Sequence, residues 1–210
     1  MEIQVLGNII KIPDYYQKVD SLPDDPQDST IVAMRSSNAM CLVQFFPISE
    51  SQALPYKDKQ AVIDGIHNSL ADDQGLVQIQ YGWIYSKKMF MASIVRTVKT
   101  ENGHPAGVQY TLTMHVKWNK KNHICIRGFF DEIGMTGQRD SAIFEMAIKE
   151  GIIKEDFSNV SEVWKNDPYD PNYTKGALSN LSEDYHYDEY FPMHPLTLCR
   201  NLITFIVRNN

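Results

Sequence analysis

Along residues 107–118, GVQYTLTMHVKW, apolar and polar side chains alternate without a break. Val108, Tyr110, Leu112, Met114, Val116 and Trp118 share one parity, and Gln109, Thr111, Thr113, His115 and Lys117 share the other. Side chains of a strand point to opposite faces with period two, so the pattern predicts an antiparallel strand with one face in a core. Neighbouring runs carry the same signature. Residues 76–86 place Val77, Ile79, Tyr81, Trp83 and Tyr85 together; residues 89–99 group Phe90, Ala92, Ile94 and Val98; residues 122–130 bring Ile124, Ile126 and Phe130. The links are Ser86–Lys88, Glu101–Pro105 and Asn119–Asn122, and their Asn-Gly and Asn-Lys-Lys-Asn sequences accept the positive φ of tight hairpins. Four consecutive strands in a meander are expected.

Upstream, residues 2–12 read as a strand or hairpin, and Thr30–Arg35 pairs with Asn38–Ile48 around Ser36-Ser37. Between them SLPDDPQDS is a polar, irregular loop. Residues 57–71 space Ala61, Val62, Ile66 and Leu70 for one face of a helix. After the meander, MTGQRDSAIFEMAIKEG gives a second helix with Ile143, Phe144, Ala147 and Ile148 as its stripe and Gly151 as its stop. The expected fold class is α+β: an antiparallel sheet of about six to seven strands flanked by helices, their stripes on its apolar face. No βαβ alternation, glycine-rich phosphate loop or internal repeat points to a nucleotide-binding fold.

The element order β-β-β-α-β-β-β-β-α over residues 1–151, the entry IIKIPDYY and the G-x-x-G-x-R-D segment Gly134–Asp140 together resemble the PsbP-like fold. That fold occurs in the PsbP subunit of photosystem II, in a nuclear-import factor that binds the Ran GTPase and in chaperones of type VI secretion effectors. The resemblance covers about three quarters of the chain. It implies a non-enzymatic protein-binding scaffold and selects no partner.

Composition narrows the classes further. The 210 residues are 43% hydrophobic and 22% charged, as in ordinary globular domains. The net charge of −6, with lysine pairs only at 87–88 and 120–121, disfavours nucleic acid. Cys41, Cys125 and Cys199 are odd in number and lie within apolar runs, which reads as reduced thiols in a cytoplasmic protein. The N-terminal run MEIQVLGNIIKIP lacks a basic n-region, and no window is long and apolar enough for a membrane span.

Residues 152–210 form an extension of the 1–151 core, packed on it within the same domain. They carry five Lys/Arg against nine Asp/Glu. Prolines and glycine at 168, 171 and 176 exclude long elements before residue 181, while Phe157, Val160, Val163, Trp164, Tyr169 and Tyr173 are too many large side chains for a disordered tail. The rings are expected to pin the segment to the core. HPLTLCRNLITFIVRN spaces Leu198, Leu202, Phe205 and Ile206 for a closing helix with Pro195 in its first turn.

The densest chemistry is SEDYHYDEYFPMHPL, residues 182–196. Glu183, His186, Asp188 and His194 are a mixed nitrogen and carboxylate set that a zinc-dependent hydrolase would use. The plainer reading is an acidic loop whose Tyr187, Tyr190 and Phe191 bury their rings while Glu183, Asp184 and Asp188 stay solvated. His123 and Cys125 share a strand face, as a Cys–His pair would, but a nucleophile also needs an exposed position and an orienting third group, which the sequence does not assign. The polar row Gln109, Thr111, Thr113, His115 and Lys117, continued by His123 and Arg127, is a candidate recognition face. With no catalytic constellation evident, the sequence favours a non-catalytic interaction module without cofactor: an adaptor, effector chaperone or immunity-type partner. Its binding surfaces are this strand face and the stretch Asp184, Tyr187, Asp188 and Tyr190, whose acidity suits another protein with a basic surface. A structural subunit of a homo-oligomer is the third class.

Overall fold

The computed structural model describes residues 1–119 and 122–210; Lys120 and Lys121, central to one expected hairpin turn, lie outside the described residues. A hairpin of β1 (Glu2–Val5) and β2 (Asn8–Lys11) precedes β3 (Gln17–Val19), β4 (Thr30–Arg35) and β5 (Ala39–Ile48). Helix α1 (Lys59–Ser69) leads to the meander β6 (Gln74–Trp83), β7 (Met89–Glu101), β8 (His104–Lys117) and β9 (His123–Glu132). Helix α2 (Gln138–Lys149) follows. The extension holds α3 (Val160–Val163), the two-residue strands β10 (Lys165–Asn166) and β11 (Ser179–Asn180), 3-10 turns at Leu181–Glu183 and Tyr185–Tyr190, and α4 (Pro195–Asn209).

Seven strands form one antiparallel sheet in the order β3-β4-β5-β9-β8-β7-β6. The α+β class and the terminal helix are as the periodicity predicts. The β7–β8 hairpin is tighter than expected: Asn102 and Gly103 alone turn the chain, at φ of 51° and 79°, so pairing continues out to Glu101 and His104. The short edge strand β3 carries no alternation that the sequence could reveal; all three residues are exposed.

The period-two parity of β8 is realised in the core. Tyr110, Leu112, Met114 and Val116 are buried and pack with Val43, Phe45, Ile94, Ile126 and Phe130. The β1–β2 hairpin and α4 cover this face, the latter through Leu198, Cys199, Leu202 and Ile206. Helix α1 lies on the opposite face, where Val62 and Ile63 meet Leu76, Ile79 and Met91.

Two expectations fail here for physical reasons. The register of β6 shifts between Leu76 and Gln78, so Val77 enters the principal core while Ile79 turns to α1. A bulge inserts a residue and reverses the parity beyond it, which alternation alone cannot reveal. Helix α2 does not cover the sheet, whose principal core face is already taken by the β1–β2 hairpin and α4. Its Ile143 and Ala147 pack instead with Ile153 and Trp164, against Leu181, Tyr187 and Phe191 of the extension.

The extension is held by contacts to both helices and to the free edge of β6. Trp164 is buried edge-on to Phe144, the Tyr169 hydroxyl bonds the backbone of Ile79, and Tyr173 stacks on His67 at 3.9 Å. Asp167 accepts from the backbone N–H groups of Tyr169 and Asp170 and pairs with His67 Nε2 at 2.9 Å. Phe157, expected as an anchor, is half exposed and only stacks on Phe144. Gly75 makes the close approach possible, since a Cβ there would lie 2.0 Å from the carbonyl oxygen of Ala177. Gly75→Ala is expected to cost about 1–3 kcal/mol in chemical denaturation by levering the extension away. Gly65→Ala, where a Cβ on α1 meets nothing within 4 Å, gains about 0.5–1 kcal/mol instead.

Candidate interaction surface

The core parity of the meander places one charged group among apolar ones. Arg96 follows Phe90, Ala92 and Ile94 on the inner face of β7 and pairs with Tyr110 of β8. A guanidinium in that position requires a carboxylate. Glu183 supplies it: Arg96 Nη1 donates to Glu183 Oε2 at 3.2 Å and to the Leu178 carbonyl at 3.0 Å, and the Tyr110 hydroxyl donates to Glu183 Oε1 at 2.9 Å. The Asn180 N–H completes the shell of this carboxylate at 3.0 Å.

Two further arginines hold the chain that follows. Arg139, in the first turn of α2, is 1% exposed. Its Nε donates to the Ser182 carbonyl at 2.6 Å, Nη2 to the Asp184 carbonyl at 3.1 Å, and Nη1 lies 2.9 Å from Asp188 Oδ1. Arg200 of α4 meets the same Asp188 oxygen at 2.9 Å, with Nε on Gln78 and Nη2 on the Glu183 carbonyl. Asp140 accepts from the Ser182 hydroxyl and from Asn180 Nδ2. Residues 180–188 are thus fixed by side chains from β7, β8, α2 and α4. Planar, bidentate guanidinium groups suit such carbonyl and carboxylate geometry.

This corrects the plain reading of the acidic loop. Glu183 is buried, not solvated, and Asp188 is engaged by both Arg139 and Arg200. Tyr187 and Phe191 do face α2, but Tyr190 turns outward and is 60% exposed. Tyr185, Met193 and Met135 are exposed as well, while Asp184 and Glu189 present charge to solvent. Met135, Tyr190, Phe191, Pro192 and Met193 rim a cleft of about 160 Å³ whose inner wall includes Arg139, Glu132 and His194. Glu132 accepts from the N–H groups of Val108 and Gly137 and faces His194 Nε2 at 3.6 Å. Burial pushes its carboxyl upward, but the bonds from His194, Gly137 and Val108 outweigh it and hold the group below the ordinary range.

The zinc set is not assembled. Glu183 is locked to Arg96, Asp188 to two guanidinium groups, and His186 turns to solvent against Asp184 at 2.7 Å. His194 caps α4, its Nδ1 accepting from the Leu196 N–H. Among the described residues no three His, Cys, Asp or Glu side chains converge as metal ligands. His123 and Cys125 share a face of β9 as expected, but His123 Nδ1 is bonded to the Tyr56 hydroxyl at 2.8 Å. Burial pushes the Cys125 thiol up to about 12, despite an opposing effect of Arg127, so it is not a nucleophilic thiolate near neutrality.

The strand face divides into two parts. Gln109, Thr111 and Thr113 are half-buried, with Gln109 on Asp131 at 2.8 Å. His115 is buried beneath the segment that leads into α1, and its Nδ1 accepts from the Leu54 N–H at 2.8 Å. Lys117 sits 3.5 Å from Glu50. The first three residues of the row thus stay partly open to solvent, and its last two serve the α1 connection.

Arg96, Arg139 and Arg200 are not among the site residues expected from the sequence. Arg96 had a legible signal, an arginine on the apolar parity of a strand, which demands a buried acid. Arg139 lies within the Gly134–Asp140 segment but gives no sign of its burial, because its partners are 43 to 58 residues away. No described helix is long and apolar enough to cross a membrane. No family model matches the chain, and no curated protein matches its sequence.

Proposed function

We propose that this chain is a non-catalytic, cytoplasmic protein-interaction module, of the adaptor, effector-chaperone or immunity kind, that binds a basic segment of another protein through residues 184–193. One observation carries this reading: Met135, Tyr190 and Met193 stand 70%, 60% and 45% exposed around a single cleft. Contiguous exposed apolar groups with a polar rim mark interaction sites, and methionine adapts to irregular partners. The guanidinium network beneath holds the segment in place, which lowers the ordering cost of binding. Asp184 and Glu189 beside the rim favour a cationic partner and give salt-sensitive association. The resemblance to PsbP-like scaffolds supports the same class by analogy of fold. The metal-dependent hydrolase is the weaker reading, because arginines already neutralise two of its carboxylates.

The test compares proteins captured by the native chain with those captured by a Tyr190→Ala, Met193→Ala double variant of unchanged thermal stability. A partner should be lost from the variant and weakened about tenfold or more by raising the salt from roughly 50 to 300 mM. Identical captures by both chains would refute the proposal.

A further inference from the structure

The free edge of the sheet carries a second, differently charged opening. Strand β6 has β7 on one side only. Along its outer side the backbone groups of Ile79 are bonded by the Tyr169 hydroxyl, and the Tyr85 N–H is bonded by the Val207 carbonyl at 2.8 Å. Alternation of the ladder turns the N–H and C=O of Tyr81 and Trp83 to the same outer side, and neither residue has a partner there among the described residues. The rings of Tyr81 and Trp83 are 52% and 61% exposed beside them. No charge, proline or bulge protects this stretch from pairing, although natural edge strands ordinarily carry such protection.

We propose that this window receives a short, extended, acidic segment of another protein by local strand addition. The length follows from the plugs. Between Ile79 and Tyr85 there is room for about four extended residues, roughly 13 Å. A second copy of the chain does not fit. Antiparallel pairing of two β6 strands about Gly82 would set Ile79 and its Tyr169 against the Tyr85 of the other copy, where Val207 already sits. The sign of the partner follows from charge. Although the chain carries −6 overall, residues 74–100 contain no Asp or Glu, and among the described residues only Arg96 and Lys99 of their four Lys or Arg are paired with acids, Glu183 and Asp131. Lys87 is exposed at the β6–β7 turn, and Lys59 of α1 lies over the Tyr169 ring at the other end of the window. Main-chain bonds to Tyr81 and Trp83 would supply the pairing, and the two rings would select apolar side chains at alternate positions.

The probe is a fluorescent peptide alternating glutamate with valine and phenylalanine, compared with its lysine-for-glutamate counterpart. Anisotropy should report binding of the acidic peptide at least about tenfold tighter than the basic one, abolished by Tyr81→Ala with Trp83→Ala and weakened by Lys87→Glu. Amide exchange of Tyr81 and Trp83, fast in the free protein, should slow about tenfold or more with saturating peptide. Equal affinity for both peptides, or binding that survives the double substitution, would overturn the proposal. So would slow exchange of these two amides in the free protein, or a dimer that dissociates in the double variant.

Discussion

Replacing Arg139 with alanine is expected to lower the unfolding free energy by about 3–5 kcal/mol, a large share of what a domain of this size possesses. The guanidinium is 1% exposed and serves two carbonyls, a hydroxyl and a carboxylate. Its removal leaves the Ser182 and Asp184 carbonyls without their donor in a site that water does not reach freely. Arg139→Lys should recover little, since one ammonium cannot span donors spread over Ser182, Asp184 and Asp188. Arg200→Ala should cost less, because its side chain is 12% exposed and water can replace part of its bonding. Equilibrium denaturation of the three variants gives the ranking, and a loss below about 1 kcal/mol for Arg139→Ala would contradict the structural role assigned to it.

Acid should weaken the fold well above the pH at which carboxylates titrate. His115 is buried, and burial first, then the charges of Arg127 and His123, lowers its pKa from the ordinary 6.5 to about 4. The unfolded chain therefore takes up the proton before the folded one does. The stabilisation is complete above pH 6.5 and is lost progressively as pH falls toward 4, by up to about 3 kcal/mol in all. His123 is lowered as well, mainly by burial, and acts in the same direction. Protonation also removes the acceptor that Nδ1 offers to the Leu54 N–H, so the α1 connection should loosen first. Melts between pH 7 and 5 should show the slope, and His115→Gln should flatten it; an unchanged slope in that variant would assign the acid sensitivity elsewhere.

The sheet was legible because its signal is local. Alternation in β8 and the short hairpin links specify neighbours that are adjacent in sequence, and the α+β class with its terminal helix follows from them. The β6 bulge and the tiny β3 strand were not legible, since neither alters the count of apolar residues. The destination of α2 depends on which faces α4 and the β1–β2 hairpin had already filled, a question of competition between distant segments. The candidate surface was half legible. The stretch 182–194 was visible as chemistry, but the sequence assigned its acids to solvent and its rings to the interior. For Glu183, Asp188 and Tyr190 the folded chain does the reverse, because three arginines from β7, α2 and α4 draw the carboxylates inward. In the strand row, Gln109, Thr111 and Thr113 keep their polar face, while His115 illustrates how a loop can close over a residue that parity places outside.

The claim on which the rest depends is that residues 180–191 are a rigid surface fixed by buried arginines. Residue-resolved amide exchange measures it directly. The N–H groups of Asn180 and Ser182, bonded to Glu183 and Asn180 respectively, and those of Asp184 and Tyr187 should exchange only in large-scale opening, orders of magnitude more slowly than a free chain. The same amides should lose most of that protection in Arg139→Ala. Exchange at free-chain rates in the native protein would contradict the account.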